Sequence, residues 1–442
     1  MIHALLLISS LCLPATNAPA PVTVFTSMEE SEYQSDMAFA LDALEKKCGH
    51  FFKLKGIDWK KTRAEFTSSA KKIKTEEDQW LILTRLLARL KDGHCYVEPS
   101  NPPEGLYVEE GGPGFFLCQV GSKYFIKSTW ANAEDLGLAP GMEVLSIDGV
   151  AIKKWIPRRI EEASDMRSFS TEQHALYWVL NRGFRKPEGE RLKVEFKDEI
   201  GKKKKRTITL GGGMSAPNGP AVLIPGYKSL GKSIRYATTE QGNGYIHFRR
   251  TKGDEMLKEL DEAMEKLGHV PGMILDFRGN SGGGCDHDAL EARFIPEGKS
   301  MPRMARGPLT GAGTTTYGGP MIVIVDGTVV SAGETTSGMF KEDGRAYMIG
   351  ESATAGMSSQ KEFIDLPSGM YRLFVSVGTN RSTFNSGRGI EGIGVAPDET
   401  VEFEPNELAA GTDSIIRRAE DLLKKYPQTK VRYDPADYGW EE

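Results

Sequence analysis

The sequence predicts an α/β protein: a domain built on a parallel sheet, preceded by a helical segment and a block of short strands. Three observations carry that prediction. Met321 to Val325 is a continuous apolar run rich in β-branched residues, which reads as a strand buried on both faces. A helical stretch from Ser331 to about Lys341 and a second apolar strand, Ala346 to Ile349, follow at once. Upstream, a strand at Gly244 to Phe248, a helix at Asp254 to Leu267 and a strand at Gly272 to Phe277 repeat the same alternation.

The N-terminus has an apolar core from Ala4 to Leu13 followed by the small residues Thr16, Asn17 and Ala18. This is the grammar of a signal peptide over 1–18, although no Lys or Arg precedes the apolar core. It predicts an extracytoplasmic protein, secreted or periplasmic. About ten apolar residues are too few to span a bilayer, and no later stretch qualifies. Cys12 lacks the small residue expected before a lipidated cysteine. Across the 442 residues, 39% are hydrophobic and 26% charged, with a net charge of −5. Such a balance excludes a nucleic-acid binder of the basic type. Cys48, Cys95, Cys118 and Cys285 show neither a C-x-x-C spacing nor a disulfide framework, so they read as free or buried thiols.

Residues 28–100 read as a helical segment. Trp80, Leu83, Leu87 and Leu90 recur at helical spacing, with Thr75 as N-cap and Gly93 past the far end. His94 follows that glycine, where a histidine ordinarily faces solvent or the helix dipole. Pro102-Pro103 and the glycines at 111, 112 and 114 mark a boundary. The block 105–212 then carries strands at Phe115 to Val120, Tyr124 to Lys127, Glu143 to Ile147, Leu192 to Phe196 and Arg206 to Leu210. Asp148-Gly149 signals a hairpin, Thr171 to Leu180 a helix, and Lys202 to Arg206 a solvated hairpin tip.

The α/β domain covers 220–405. The strand ending at Asp276 runs into Phe277-Arg278-Gly279-Asn280-Ser281-Gly282-Gly283-Gly284. No G-K-[ST] or G-x-G-x-x-G pattern follows, so nucleotide binding is not indicated. A turn of this kind can aim a backbone N–H at an oxyanion. Cys285, Asp286, His287 and Asp288 are adjacent in sequence and cannot readily converge on one metal ion. Ser331 stands at a strand-to-helix turn, the edge at which open α/β sheets bind ligands, and at the positive end of a helix. The same residues, Ser331-Ala332-Gly333-Glu334, also spell a capping box, in which the serine only caps. Residues 406–442 close the chain with an amphipathic helix, whose apolar face is Ile415, Ile416, Ala419, Leu422 and Leu423 and whose cap lies near Thr412, and a polar tail.

The strand-rich block resembles a PDZ domain, through Gly111-Gly112-Pro113-Gly114-Phe115-Phe116 and the stretch from Leu136 to Gly149. The resemblance implies a peptide carboxylate held by backbone N–H groups at Gly112, Gly114 and Phe115, with the peptide added as a strand. The chain as a whole resembles the carboxyl-terminal processing peptidases and the tricorn core peptidase. The motifs are Asp276 to Gly284, Val330 to Glu334, Gly344-Arg345-Ala346 with Gly350-Glu351, and Gly394-Val395-x-Pro397-Asp398. This implies a crotonase/ClpP-like catalytic domain with an inserted PDZ domain, and a serine endopeptidase acting on polypeptides through an acyl-enzyme. Ser331 falls on the family nucleophile, and Ala332 with Gly282 or Gly283 falls on the oxyanion donors. The lysine-type members place a catalytic lysine where this chain has Gly356. Tricorn-like members use a histidine and a glutamate instead, which fall on His94 and Glu391; the serine beside the tricorn histidine has no counterpart at Gly93 or Cys95. A histidine of ordinary pKa, near ~6.5, suits a general base. No metal or organic cofactor is implied, an oligomer is allowed, and the rival reading is a catalytically inactive peptide- or lipid-binding relative of the same fold.

Overall fold

The computed structural model describes residues 30–100, 110–198, 200–211, 224–303, 307–379 and 384–425. The expected signal peptide, the Pro102-Pro103 boundary and the polar tail lie outside the described residues. The chain divides into two compact units. The first comprises the chain to Glu109, Glu161–Phe169 and Gln360–Gly378; the second comprises Glu110–Ile160, Ser170–Ser359 and Thr379 onward.

The first unit is built on three helices, α1 (Glu30–Cys48), α2 (Trp59–Ala70) and α3 (Glu76–Ala88). Helix α3 begins where the sequence places it: the Thr75 hydroxyl accepts the Asp78 N–H at 3.1 Å, and Asp78 Oδ2 accepts the Thr75 N–H at 3.2 Å. This reciprocal cap satisfies two otherwise orphaned groups. Trp80, Leu83, Leu87 and Leu90 are all buried. Strand β1 (Tyr96–Pro99) pairs antiparallel with Tyr371–Thr379, Tyr96 facing Phe374. Gln360–Gly378, read from sequence as part of the α/β domain, belongs to the first unit. The cause is its alternation: Tyr371, Leu373 and Val375 join Leu83, Leu86 and Val97 in one apolar cluster.

In the second unit, β2 (Phe115–Val120), β3 (Lys123–Thr129), β4 (Glu143–Ile147), β5 (Arg191–Lys197) and β6 (Lys203–Thr209) form an antiparallel sheet in that order. Asp148 and Gly149, with φ of 47° and 81°, make the two-residue turn that pairs Ile147 with Val150. The expected hairpin tip at Lys202 to Arg206 is instead strand from Lys203 onward, held by cross-strand pairing and by a 2.8 Å ion pair from Lys204 to Asp198. Helix α4 (Glu172–Arg182) starts at Thr171, whose hydroxyl accepts the His174 N–H at 3.2 Å.

The second sheet of this unit has seven strands in sequential order: β7 (Lys228–Leu230), β8 (Ile234–Thr238), β9 (Gly244–Phe248), β10 (Met273–Asp276), β11 (Met321–Val325), β12 (Tyr347–Gly350) and β13 (Glu399–Thr400). From β9 to β13 every pairing is parallel, with Leu275 opposite Val323 and Ile324 opposite Ile349. Helices α5 (Gly253–Leu267) and α6 (Ala332–Glu342) share one apolar cluster with Met321, Val323 and Val325. Helix α7 (Ser414–Lys425) shares another with Ile322 and Ile324. Strand β11 is therefore covered on both faces, as an uninterrupted apolar run requires; each such side chain contributes on the order of 1.5–3 kcal/mol. The cap of α7, expected near Thr412, is Asp413, whose Oδ1 accepts the N–H groups of Ile415 and Ile416 at 3.0 and 3.2 Å.

Candidate active site

Strand β11 ends at Val325, and five residues later the chain turns sharply into α6. Ser331 sits on that turn with φ 56° and ψ −126°, a conformation that side-chain-bearing residues rarely adopt. The neighbouring glycine turn after β10 locks it in place. The Val330 N–H donates to Asn280 O at 3.1 Å. Gly333 admits the Asn280 side chain, since a Cβ there would lie 2.5 Å from Asn280 Oδ1. Gly282 presses on the serine itself, since a Cβ would lie 2.6 Å from Ser331 Cβ and 3.1 Å from Ala332 N. The Ala332 N–H belongs to the first turn of α6, where N–H groups have no partner within the helix.

The two glycines that the sequence leaves as alternatives are not equivalent. The Gly282 N–H donates to Asn280 Oδ1 at 2.8 Å. Beyond it, Thr251 N–H donates to Gly282 O at 3.0 Å, and the parallel pairing runs Thr251 to Gly283 and Lys252 to Gly284. In that register the N–H drawn into the ladder is that of Gly284. Gly283 is the glycine of the pair whose N–H neither contact uses.

Behind Ser331 lies Glu334, fully buried. Its Oε2 accepts the N–H groups of Ser331 (3.1 Å) and Met357 (2.8 Å); its Oε1 accepts the Thr354 hydroxyl and the Gly356 N–H, both at 2.6 Å. Burial pushes its pKa up to about 7, against the lowering effect of these four donors. The sequence offers Glu334 only as a capping residue; three of its four donors lie 20 to 23 residues away. Gly356 has φ 76°, and a Cβ there would lie 2.6 Å from Thr171 Cγ2 and 3.0 Å from two backbone nitrogens. A lysine is excluded at that position. Lys341 is engaged elsewhere, donating to Ala396 O at 2.6 Å and pairing with Asp398 at 3.2 Å.

Glu391 is buried in the loop before β13. That loop is stitched to the one below Glu334: Gly392 N–H donates to Gly356 O at 2.7 Å, and Thr354 N–H to Val395 O at 3.1 Å. Helix α4 holds both loops. The Gln173 amide donates to Thr354 O (3.0 Å) and Ile393 O (3.1 Å), and the Thr171 hydroxyl to Ala355 O (2.8 Å).

His94 lies in the first unit, in the turn between α3 and β1. Asp92, also buried, organises that turn by accepting the N–H groups of His94 (2.9 Å) and Ser376 (3.0 Å) and the Cys95 thiol (3.0 Å). Burial opposes the charge on Asp92, yet Lys55, His94 and these donors outweigh it and hold the carboxyl down at about 2. His94 Nδ1 stands 4.0 Å from Asp92 Oδ1, and its Nε2 stands 3.5 Å from Lys361 Nζ. Burial, and then the Lys361 ammonium, lower the imidazole pKa to about 4 against the pull of Asp92. The role of Asp92 escapes sequence reading; the sole local signal is an aspartate two residues before the histidine in a tight turn.

Gly112, Gly114 and Phe115 are buried. Gly112 O accepts the Gly211 N–H at 3.3 Å, and Gly114 O accepts the Trp130 N–H at 2.8 Å. A Cβ at Gly114 would lie 2.3 Å from Trp130 O. These bonds tie the loop's carbonyls to Gly211 and Trp130. Residues 285–288 point to different partners: Asp286 caps a short helix through the Ala289 N–H (2.9 Å), Asp288 pairs with Arg303 (3.0 Å), and His287 Nδ1 lies 2.8 Å from Thr336 Oγ1, with Cys285 Sγ 3.9 Å from the same nitrogen.

A serine on a strained strand-to-helix turn, backed by glycine turns at the C-terminal edge of a parallel sheet, defines an α/β domain of the hydrolase type. Residues 242–401, from β9 through β13, match peptidase family S41, and the chain carries a peptidase family S41 domain. It is 28% identical over 198 residues to a carboxyl-terminal-processing protease of Picosynechococcus sp., covering 41% of this chain and 45% of that one. It is 28% identical over 187 residues to the tricorn protease of Thermoplasma acidophilum, covering 41% of this chain and 16% of that one. The chain thus spans less than half the length of these curated relatives. Mature CPAF has a similar fold, with a TM-score of 0.63 at 13% identity, covering 90% of this chain and 97% of that one.

Proposed function

We propose that this protein is an exported serine endopeptidase that cleaves polypeptides through an acyl-enzyme on Ser331. The observation that carries the reading is the Ser331 turn: φ 56° at the mouth of α6, with Gly282 packed against its Cβ, inside a peptidase family S41 domain. A serine hydroxyl needs a base to attack a carbonyl at neutral pH. In this reading His94 takes the proton, Glu391 orients the imidazole, and the oxyanion is received by the N–H groups of Ala332 and Gly283. The low pKa of His94 keeps it neutral, the form a general base needs, and makes it a weaker proton acceptor than a histidine of ordinary pKa. The exclusion of a side chain at Gly356 and the engagement of Lys341 favour histidine over lysine as the base. The block 105–212 would serve as a PDZ domain that engages the C-terminus of a peptide; its antiparallel sheet with α4 alongside is consistent with that use.

Labelling by a fluorophosphonate tests the nucleophile. Wild type should label and hydrolyse peptides, and Ser331→Ala should do neither while losing only about 1 kcal/mol of stability. Undiminished hydrolysis in Ser331→Ala overturns the mechanism; a wild type that binds peptides but neither labels nor cleaves them would make the chain a binding relative.

A further inference from the structure

We infer that Glu334 is the positioning residue of this site, the group that sets the direction of Ser331 and fastens it to the loop 354–357. The inference rests on the reading of Ser331 as nucleophile and goes beyond it by assigning what holds the nucleophile in a strained turn.

A cap alone does not explain Glu334. Capping requires one carboxylate oxygen near the start of a helix, and water can satisfy the other. Here both oxygens are buried and both are used twice. Withdrawing a carboxylate from water is costly unless its lone pairs are taken, and these four donors take them. The donors come from two places only: the Ser331 backbone, and residues 354, 356 and 357 of one distant loop. That loop carries its own burden, because the Thr354 hydroxyl which donates to Glu334 also accepts the Val395 N–H at 2.8 Å.

The consequence for Ser331 is geometric. At φ 56° its peptide plane is held out of the ordinary basins, and an N–H donated to a fixed carboxylate sets that plane. The plane fixes where Cα–Cβ points, and so where the hydroxyl stands relative to the N–H groups of Ala332 and Gly283. Reacting groups tolerate little misplacement: about 1 Å costs about 100-fold in rate.

Glu334→Gln tests this. The amide keeps the shape but replaces one acceptor oxygen with a donor that faces two N–H or O–H groups. With folding verified by thermal melting, the expected result is a loss of about 100-fold in kcat and in fluorophosphonate labelling, with KM within about threefold of wild type. In parallel, the crystal structure of the variant should show Ser331 moved from its positive φ, and the Ser331 amide proton should shift upfield. Unchanged kcat and an unmoved Ser331 overturn the inference and leave the peptidase reading standing. If wild type fails to label, the peptidase reading falls, and the Ser331 conformation in Glu334→Gln alone decides: moved supports positioning, unmoved overturns it. Should Glu334→Gln not fold, Thr354→Val removes one donor and leaves the carboxylate; a loss of about tenfold in kcat at constant KM supports the inference, and no loss overturns it.

Discussion

At the scale of single residues, two ionisable groups of the candidate site, His94 and Glu334, lie far from their ordinary values in opposite directions. His94 is held neutral down to about pH 4 by burial and by Lys361. The unfolded chain, with an ordinary histidine near ~6.5, binds that proton first. Stability therefore rises with pH between about 4 and ~6.5 and is lost as pH falls through that window. Glu334 is the reverse: burial raises its pKa to about 7. Between ~4.5 and about 7 the folded chain therefore takes up a proton there that the unfolded chain has released, displacing one of the four donors, and its contribution to stability falls as pH rises through that window. For activity the order matters. The limb expected of a free histidine, near pH 6–7, should not come from His94. We predict a limb near pH 7 in kcat/KM that follows ionisation of Glu334, whose neighbours all donate, and a separate loss near pH 4 as His94 protonates. Measuring the profile in Glu334→Gln separates them: the limb near 7 should vanish from the residual activity, and its persistence would assign it to another group.

At the scale of elements, the site is made by glycines that let three loops meet. The turn after β10 presses on the turn into α6, and the loop 354–357 presses on Thr171 and the backbone of residues 393 and 394, so closely that a single methyl group would collide. Gly282→Ala puts a Cβ 2.6 Å from Ser331 Cβ and 2.9 Å from Val330 O, at a φ of 73°. Labelling and kcat should fall by about 100-fold or more, with about 1–3 kcal/mol of destabilisation in denaturant melts. An active Gly282→Ala would show that the two loops need not touch. Gly356→Lys should likewise destabilise and should not restore a lysine-type site, because the side chain would begin inside Thr171 and the backbone of residues 393 and 394. Activity in the double variant His94→Ala, Gly356→Lys would contradict that.

At the scale of the second unit, α4 joins the strand-rich block to the loop 354–357 and the loop that bears Glu391. Gln173 bonds both the loop under Glu334 and the loop that bears Glu391. Gln173→Ala should lower kcat about three- to tenfold with the fold intact; an unchanged kcat would make the contact merely adhesive. Peptide capture is testable separately. If Gly112 to Phe115 receives a C-terminal carboxylate, a free-acid peptide should bind more tightly than its C-terminal amide. Equal affinities would sink the carboxylate reading.

What the sequence by itself determined is local. The buried strand Met321 to Val325, the cap at Thr75, the Asp148-Gly149 turn and the placement of Ser331 at a strand-to-helix turn all follow from periodicity, turn chemistry and helix termini, which act within a few residues. The motifs around Asp276, Ser331 and Gly394 likewise pointed to the family before any coordinates. Tertiary structure decided what depends on residues distant in sequence. It gave Glu334 three donors from a loop 20 to 23 residues away, turned the Gly282 N–H to Asn280, placed Gln360–Gly378 with the N-terminal helices, and lowered His94 by burial beside Lys361. The reason is physical: desolvation and hydrogen-bond satisfaction are properties of the space around a group, and that space is filled by segments whose positions no local pattern encodes.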